Sequence, residues 1–573
     1  MGIRTVEWTD EQAAAVTATG DVLLAASAGT GKTTTVVGKI LWLLGLEAGR
    51  SGDPPTSLPP CESPCRLDQI AAITFTEKAA YDLKRKLRSE IEASERADEL
   101  RWEIDNAAVG TIHGFCAELL RDHALRLEID PTFRVLDERE TRVHQDELLR
   151  DVFKDALAAA EPEARALVRR FKGMYDGAHR DGAIGNVREV MRDIRWHSRR
   201  YSGWVTSRPD GDQQIDPALL WEIAERVGLA DPDPSGRAHD EESVRIAAYL
   251  YRYAYRALGR WLSWLEVENL RDFDSLILDA RRLLTRRGTR PALEAVRSRY
   301  RILIIDEFQD TDAAQRDIAF AIAGLPVTWT DPDAAQPQAG AQPEARPQLF
   351  LVGDPKQSIY RFRGADIGVW NEVREAVGRN GQLLDLSHNF RSEPQVVDFV
   401  NRVCGPVMSE RAAELRALSP RSAVDYVPLR SALERTPAAG LEWLVNDKNG
   451  NDVKTAEARL VASRIRQLVS EEVIRDPETG KCRPCRYSDI AILARTRSVL
   501  RGLEDGLRQY GVPFYNSSAG DLTSRQEILD VLTALRLVDN PSDDLRAFAY
   551  LRSPFVGLRD EVLVRLRIDP QVK

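Results

Sequence analysis

The chain has 573 residues, of which 43% are hydrophobic and 29% charged, with a formal net charge of −9. This length exceeds what a single hydrophobic core usually supports, so several domains are expected. The net negative charge argues against a protein covered with basic residues but not against a local basic groove. No run of about 20 apolar residues exists, the N-terminus lacks a signal-peptide apolar core, and six cysteines suit a reducing compartment. The sequence therefore predicts a cytoplasmic multidomain protein without a membrane segment.

The first predicted element is a helix that begins just after Trp8. Thr9 and Gln12 have the spacing of a capping box, in which each side chain bonds the backbone N–H of the other residue. Alternatively, the amide of Gln12 pairs with the adenine edge of a nucleotide. The next segment favours the adenine contact, because it is typical of a phosphate-binding loop.

A strand, a loop rich in small residues and a helix follow one another between Asp21 and Ile40. The strand is the apolar run 22–25, and the helix begins after Gly31. Small residues let backbone N–H groups surround a polyphosphate, while Lys32 would reach the β- and γ-phosphates and Thr33 would ligate Mg²⁺. The loop consists of Ala26, Ser27, Ala28, Gly29, Thr30, Gly31, Lys32 and Thr33, with Ala26 where a glycine is usual. The pattern predicts a nucleoside triphosphate site; the alternative is a glycine turn that caps an ordinary helix.

Two further strand-like segments each run into a helix. Residues 70–75 lead into 76–87, a basic helix that could equally be an ordinary amphipathic one. Residues 108–116 carry Thr111 and His113, which would suit phosphate contacts at a helix N-terminus. The alternative is that Thr111 only caps the helix and that His113 is a buried hydrogen-bonding residue.

From about 138 to 270 the pattern is helical and dense in arginine and aromatic residues, as in 192–201 and 249–255. Such residues can hold a single strand by stacking and charge, but aromatics at helical spacing are more often core residues, and we favour the core interpretation. The segment predicts an inserted helical subdomain.

The sheet resumes with a buried strand, 301–305, that ends in Asp306 and Glu307. Carboxylates at this end of a parallel strand lie where α/β sheets bind ligands. Asp306 would hold Mg²⁺ through water, and Glu307 would orient or deprotonate the attacking water.

After a low-complexity stretch at 325–348, which we interpret as a loop, two more strand-like runs at 349–353 and 383–386 are each followed by polar residues. Gln357 after the first could sense a γ-phosphate, and Phe362 between two arginines is typical of a base-stacking platform. Arg391 after the second, arriving from another lobe, would have the position of an arginine finger.

Together these motifs resemble the ordered motifs of superfamily 1 DNA helicases, most closely the UvrD/RecB group and the helicase subunits of recombination helicase–nucleases. The resemblance covers most of the chain, and the run from Val352 to Asp366 is its most specific part. The motifs lie at Gln12, 26–33, 74–79, 111–115, 306–310, 352–366 and 389–392.

The resemblance implies ATP and Mg²⁺ as cofactors, movement 3′ to 5′ on DNA, and an α/β fold of two RecA-like parallel-sheet lobes, each with an inserted helical subdomain. Gln12 would read adenine and Phe390 would stack on it. The implied phosphate, magnesium and water residues are Lys32, Thr33, Asp306, Glu307, Gln357 and Arg391, with Thr33 and Asp306 at the metal. The implied DNA residues are Thr74, Phe75, Thr111, His113, Tyr360, Phe362 and Arg363, with Phe362 in place of a tryptophan common in the family.

The implied domain order is lobe 1A, helical insertion 1B, the rest of 1A, lobe 2A and the start of a second insertion, 2B. Their expected bounds are 1–137, 138–265, 266–377, 378–525 and 526–573. In the second lobe, residues 487–493 are expected to form a strand and 499–510 a helix. Two motifs that normally follow insertion 2B, a His-x-x-Lys-Gly-Leu-Glu stretch and a Thr-Arg-Ala stretch, are missing, as is a nuclease domain, so we expect the native protein to continue.

The six cysteines include two close pairs, Cys61 with Cys65 and Cys482 with Cys485. Thiolate pairs can ligate zinc, but these spacings are loose and the pairs fall in different predicted lobes, so free thiols are favoured.

The leading functional prediction is an ATP-dependent 3′–5′ DNA helicase of repair or recombination. Its predicted partners are single-stranded and duplex DNA and a separate protein with nuclease or helicase activity. One alternative is a non-catalytic subunit or fragment that binds ATP and DNA. The other is a P-loop ATPase that acts on something other than DNA, which the stretch from Gln357 to Asp366 disfavours.

Overall fold

The computed structural model of the chain describes residues 6–52, 56–105, 107–171, 173–174, 182–196, 223, 241–327, 346–360, 365–418, 423–434, 440–446, 453–476, 480–517, 525–539, 541 and 543–568. They belong to two compact units, residues 1–435 and 436–573. Within the described ranges no helix is both long and apolar enough to cross a membrane.

The first unit is built on a parallel sheet, as predicted. The described residues contribute six strands, whose side chains are mostly apolar and buried on both faces, as helices on each side of a parallel sheet require. The strands are β1 (Val22–Ala26), β2 (Ile70–Thr74), β3 (Ala108–Thr111), β4 (Ile302–Ile305), β5 (Gln348–Gly353) and β6 (Gln382–Leu386). Their spatial order is β6-β1-β5-β4-β2-β3.

Strand β6 adds residues beyond 378 to the first sheet. The prediction assigns residues from 378 onward to the second lobe, but β6 pairs in parallel with β1, with Leu383 opposite Leu23 and Leu386 opposite Ala26. Strand pairing is non-local, so the sequence of β6 alone does not show which sheet it joins. The residues after β6 reach the phosphate loop from the edge of this sheet.

Helices pack on both sides of this sheet and form two apolar layers that share the strands between them. The first group precedes a helical insertion in the chain. These helices are α1 (Asp10–Thr17), α2 (Lys32–Leu43), α3 (Glu77–Glu92), α4 (Ala97–Leu100) and α5 (Ile112–Asp122).

The helical insertion has its own core. Its helices are α6 (Glu138–Ala158), α7 (Pro162–Arg170), α8 (Gly182–Trp196) and α9 (Glu241–Val267). Tyr251 and Tyr253 lie inside this core, and Arg195 is buried at the end of α8. The favoured core interpretation of these aromatics is therefore confirmed, while residues 197–201 of the arginine-rich stretch lie outside the described residues.

The second group of helices in the first unit follows the insertion. The first four of these contribute to the apolar layer on one side of the sheet, and the fifth follows β6. They are α10 (Phe273–Thr285), α11 (Arg290–Arg299), α12 (Ala313–Ala323), α13 (Ile367–Asn380) and α14 (Pro394–Leu418).

The second unit holds five helices among its described residues. They are α15 (Val453–Glu471), α16 (Arg497–Gln509), α17 (Gln526–Asp539), α18 (Asp544–Arg552) and α19 (Asp560–Ile568). A small core joins α15 to α16 through Ala462, Ile465 and Leu507. The predicted strand at 487–493 is wrong: a 3-10 turn spans Tyr487–Asp489, and the extended residues after it have no neighbouring strand in the described chain to supply the hydrogen bonds that a strand requires.

The described chain also has short strands of two or three residues. They pair with one another and do not extend the six-stranded sheet. They are Glu7–Trp8, Arg50–Ser51, Thr56–Ser57, Arg134–Val135, Leu270–Arg271, His388–Asn389, Arg430–Ser431, Val473–Arg475 and Cys482–Pro484.

Candidate nucleotide and nucleic-acid site

The predicted site residues follow the carboxyl ends of neighbouring parallel strands, which meet at one edge of the sheet. The phosphate loop follows β1, the two acids follow β4, and Gln357 follows β5. The predicted DNA residues Phe75 and Thr111 lie at the ends of β2 and β3, on the other half of the same edge.

The phosphate loop has the glycines that its geometry requires. Gly29 and Gly31 have φ values of 75° and 82°, a left-handed region that side chains with a Cβ rarely adopt. A Cβ on Gly29 would lie 2.8 Å from the Cβ of Arg391, and one on Gly31 would lie 2.9 Å from Nε2 of Gln12. Helix α2 begins directly at Lys32, so its N-terminal N–H groups face the loop, as anion binding requires.

Lys32 and Glu307 face each other across the site. The Lys32 ammonium donates to Oε2 of Glu307 at 3.0 Å, and both side chains keep part of their surface exposed. Glu307 has a φ of 53°, an uncommon conformation for a residue with a side chain, and one that often marks a functional position. A bound phosphate would compete with Glu307 for the lysine.

Three acids crowd this end of β4. Burial, and then repulsion from Glu307, raises the pKa of Asp306 to about 6, and the same two causes raise the pKa of Asp310 to about 6. Oδ1 of Asp310 is buried without a hydrogen-bond partner among the described residues. The cluster therefore carries more negative charge than Lys32 alone balances.

These acids fit a magnesium ion. In the described ranges no three His, Cys, Asp or Glu side chains converge on a metal position. Mg²⁺ does not need such a cage, because it commonly takes one or two protein ligands and completes its shell with water and phosphate oxygens. Asp306 and Thr33 would hold it, and the surplus charge and orphaned carboxylate oxygen suit a divalent cation.

The segment after β6 is held against the phosphate loop. Asn389 donates from Nδ2 to the carbonyl oxygen of Ala28 at 2.8 Å, and the Phe390 N–H donates to the carbonyl oxygen of Gly29 at 2.8 Å. Oδ1 of Asn389 accepts from the N–H of Arg391 at 2.9 Å, which fixes the backbone from which that arginine extends. Phe390 and Arg391 are both exposed beside the loop.

Gln12 has two protein contacts. Thr9 and Gln12 form the predicted capping box at the start of α1, in which Oε1 of Gln12 accepts from the N–H of Thr9 at 3.3 Å. Nε2 of Gln12 donates to the carbonyl oxygen of Thr30, in the phosphate loop, at 3.0 Å. The cap is therefore present, and the adenine contact stays a prediction.

The described members of the predicted DNA set, which we call the DNA row, lie at or near the ends of β2 and β3, with Tyr360 in contact with Phe75. The rings of Phe75 and Tyr360 have centroids 5.1 Å apart, and the hydroxyl of Thr111 donates to Oε1 of Glu77 at 2.9 Å. The ring of His113 packs against Phe273 with centroids 4.8 Å apart. Thr74, at the end of β2, is buried and donates to the carbonyl oxygen of Thr76. The remaining two, Phe362 and Arg363, lie outside the described residues.

Comparison with known proteins identifies the family. Residues 8–377 match the UvrD/REP helicase N-terminal domain, and residues 384–572 match the UvrD-like helicase C-terminal domain. The chain belongs to the UvrD-like helicases. It is also similar to proteins named as one subunit of an ATP-dependent helicase/nuclease, with 27% identity to that of Exiguobacterium sibiricum and 25% identity to that of Bacillus anthracis.

Those alignments cover 98% of this UvrD-like chain but 54% and 53% of the two relatives. The chain thus spans about half the length of the curated relatives that it matches. The family match and the parallel sheet confirm the predicted family and fold class.

One residue of the UvrD-like site was missed by sequence reasoning. The amide of Gln309 donates to Oε2 of Glu307 at 2.9 Å and to Asp310, while its oxygen accepts from the N–H of Asp354 at 2.9 Å. Gln309 thereby connects the end of β4 to the end of β5. Its position two residues after Glu307 was the available signal, but the partner on β5 is visible only in the fold.

Gln357 is close to this link. Its Nε2 donates to Oδ2 of Asp354 at 2.7 Å, and Asp354 is buried. Movement of Gln357 toward a phosphate would therefore disturb its hydrogen bond to Asp354. Through Asp354 it would also disturb the hydrogen bonds that Gln309 makes, including the one to Glu307.

None of the six cysteines, all of which lie within the described residues, forms a disulfide. Cys61 and Cys65 belong to the first unit, and Cys482 and Cys485 belong to the second.

Proposed function

We propose that this chain is an ATP-dependent DNA helicase that couples hydrolysis of magnesium-bound ATP to movement 3′ to 5′ along single-stranded DNA, in repair or recombination. The observation that supports this best is the shared sheet edge, where the phosphate loop and the acids of β4 adjoin the row of Phe75, Thr111 and Tyr360. A change at the nucleotide can reach the DNA through one rigid sheet.

In this proposal Lys32 and the loop N–H groups bind the β- and γ-phosphates, while Thr33 and Asp306 hold Mg²⁺, which neutralises charge on the phosphates. Glu307 accepts a proton from the attacking water, or orients it, and Arg391 stabilises the charge that develops in the transition state. Phe390 stacks on the base, and Gln357 senses the γ-phosphate.

The predicted DNA row would bind a strand by stacking and by phosphate contacts. Phe75, Tyr360 and Phe362 offer ring faces, while His113 and Arg363 offer hydrogen-bond donors. The hydroxyls of Thr74 and Thr111 would contact DNA by exchanging their present acceptors, Thr76 and Glu77. We also propose a cytoplasmic protein that works with a second polypeptide, because the relatives are named as one subunit of a helicase/nuclease.

The helicase proposal is tested by strand displacement with ATP on duplexes that carry a 3′ or a 5′ single-stranded tail. We expect displacement from the 3′-tailed duplex alone, and none with Lys32→Ala. Displacement from the 5′-tailed duplex would contradict the polarity. ATP hydrolysis on single-stranded DNA without displacement of either duplex would indicate a translocase that moves along DNA but does not unwind it.

Replacing Gln12 with alanine tests whether it reads adenine. If the amide bonds the base, we expect the preference for ATP over GTP to fall by about tenfold, the effect of losing a hydrogen bond of about 1.4 kcal/mol. If Gln12 only supports Thr30, the KM values of both nucleotides will rise together. Steady-state hydrolysis of ATP and GTP separates the two, and Thr9→Ala serves as a control that disrupts the cap alone.

Gln309→Ala should lower the rate of ATP hydrolysis by about tenfold. The substitution removes the hydrogen bonds to the Glu307 carboxylate and to the N–H of Asp354. Residues that orient the ligands of a site typically contribute 10–100-fold. Gln348→Ala is a matched control, since that glutamine begins β5 and its side-chain oxygen accepts from the N–H of Gly20 at an exposed position. An unchanged rate in Gln309→Ala would show that the β4–β5 link is dispensable.

A further inference from the structure

The two chain connections between the helical insertion and the sheet lobe lie side by side. The chain enters the insertion after Val135 and returns at Leu270, and these two connections pair as a short parallel ladder. Asp272, which comes shortly after this ladder, caps helix α10, whose side chains pack in the core of the lobe. Asp272 therefore lies where the two bodies of the first unit meet.

The carboxylate of Asp272 is a buried hydrogen-bond hub. It is 3% exposed, and Arg195 donates to it from Nη1 at 2.6 Å and from Nη2 at 2.9 Å. The indole N–H of Trp261 donates at 2.9 Å, and Ser275 donates from its backbone N–H at 2.8 Å and from its hydroxyl at 2.7 Å. A bidentate pair of an arginine and a carboxylate that also accepts further hydrogen bonds fixes the relative orientation of the two groups as well as their distance.

The donors come from both sides of the joint. Arg195 lies in the last turn of α8 and Trp261 belongs to α9, both helices of the insertion, while Ser275 lies in the first turn of α10 in the lobe. The next residue after Arg195, Trp196, packs against the lobe core, whereas Ile194 lies in the insertion core. The pair of Arg195 and Asp272 thus holds the insertion on the lobe at a set angle.

The same joint touches the predicted DNA row. Phe273, which follows Asp272, packs its ring on His113, two residues from Thr111 at the start of α5. A rotation of α10 about its N-terminal cap would move Phe273, and the ring of His113 would then lose its packing contact with Phe273.

We propose that Arg195 and Asp272 are positioning residues for DNA binding, which set the angle of the helical insertion and, through Phe273, hold His113 in the DNA row. This inference rests on the proposed function. A buried ion pair of this kind contributes less to stability than to geometry, because desolvation offsets much of its attraction. Removing Arg195 leaves the buried carboxylate of Asp272 without its cation, whereas removing Asp272 leaves Arg195 with Asp274, whose Oδ2 lies 3.8 Å from Nη1.

The test uses Arg195→Met and Asp272→Asn in the full chain. Asparagine still caps a helix, so α10 should form in the second variant. We expect the concentration of single-stranded DNA that gives half-maximal stimulation of ATP hydrolysis to rise about tenfold in both. Hydrolysis without DNA should stay within about twofold of wild type, because neither residue touches the nucleotide site. The double variant should be no worse than either single one.

Leu250→Ala is the matched control, since Leu250 is fully buried in the insertion core and makes none of the hydrogen bonds of the hub. It should lower the melting temperature without shifting the DNA concentration for half-maximal stimulation. An equal shift in this control, or no shift in the two joint variants, would overturn the proposal. Arg195→Lys, which keeps the charge and loses the fork, provides a milder variant should Arg195→Met fold poorly.

Hydrogen exchange separates this inference from the proposed function. Backbone amides of residues 111–116, measured without DNA or nucleotide, should exchange faster in Arg195→Met than in Leu250→Ala. If DNA does not stimulate ATP hydrolysis by the wild-type chain but this exchange difference is present, the proposed function fails, while the positioning of His113 by Arg195 and Asp272 still holds. If the exchange rates are equal, the joint does not support His113.

Discussion

Glu307→Gln is expected to lower the steady-state rate of ATP hydrolysis by about a thousandfold while ATP still binds, since a positioned general base contributes typically 10²–10⁴-fold. The change keeps the shape of the side chain but removes its basicity. It also removes one of the negative charges that crowd Asp306 and Asp310. Binding of a labelled nucleotide should therefore be equal or tighter, because the loop would carry less repulsion toward phosphate.

The control is Glu118→Gln, which loses an exposed ion pair between α5 and Arg299 and should hydrolyse ATP at the wild-type rate. A Glu307→Gln rate within tenfold of wild type would mean that another group activates the water. Loss of nucleotide binding would instead mean that the pair of Lys32 and Glu307 is needed to build the loop.

Arg391→Ala is expected to lower the maximal hydrolysis rate by about a thousandfold, the lower range for an arginine that stabilises a transferring phosphoryl group. The fold explains why Arg391 is available for this role. Asn389 and Phe390 attach its backbone to Ala28 and Gly29, and Gly29 has no side chain to block the approach. The KM for ATP should change far less than kcat, because the contact strengthens as charge develops on the phosphate.

Arg379→Ala is the matched control, an exposed arginine near the end of α13 that should leave the rate unchanged. Arg391→Lys should restore only part of the activity, because lysine lacks the planar fork that matches phosphate oxygens. Equal losses in kcat/KM and in nucleotide affinity for Arg391→Ala would indicate ground-state binding instead of transition-state stabilisation.

The nucleotide half of the site could be predicted because its chemistry is local. Lys32, Gly29 and Gly31 follow an apolar strand within one short stretch, and Asp306 and Glu307 follow another. Parallel strands place such ends together whatever the exact strand order. The strands of the six-stranded sheet and the helical insertion were likewise visible from periodicity and composition, whereas the strand predicted at 487–493 was not found.

The links between motifs could not be predicted, because they depend on strand order and helix packing. Nothing near Gln309 in the sequence indicates that its amide meets Asp354, and nothing near Arg195 indicates Asp272, 77 residues away. The pairing of β6 with β1 could not be predicted for the same reason, because it is decided by contacts between distant residues.

The most direct measurement is steady-state ATP hydrolysis by the chain with and without single-stranded DNA, beside Lys32→Ala. We expect hydrolysis to be strongly stimulated by DNA and abolished by the substitution, because the nucleotide residues and the DNA row share one sheet edge. Tight binding of ATP and DNA without turnover would contradict a catalytic motor in this chain and would favour a non-catalytic binding role. Hydrolysis that ignores DNA would contradict the coupling through the sheet.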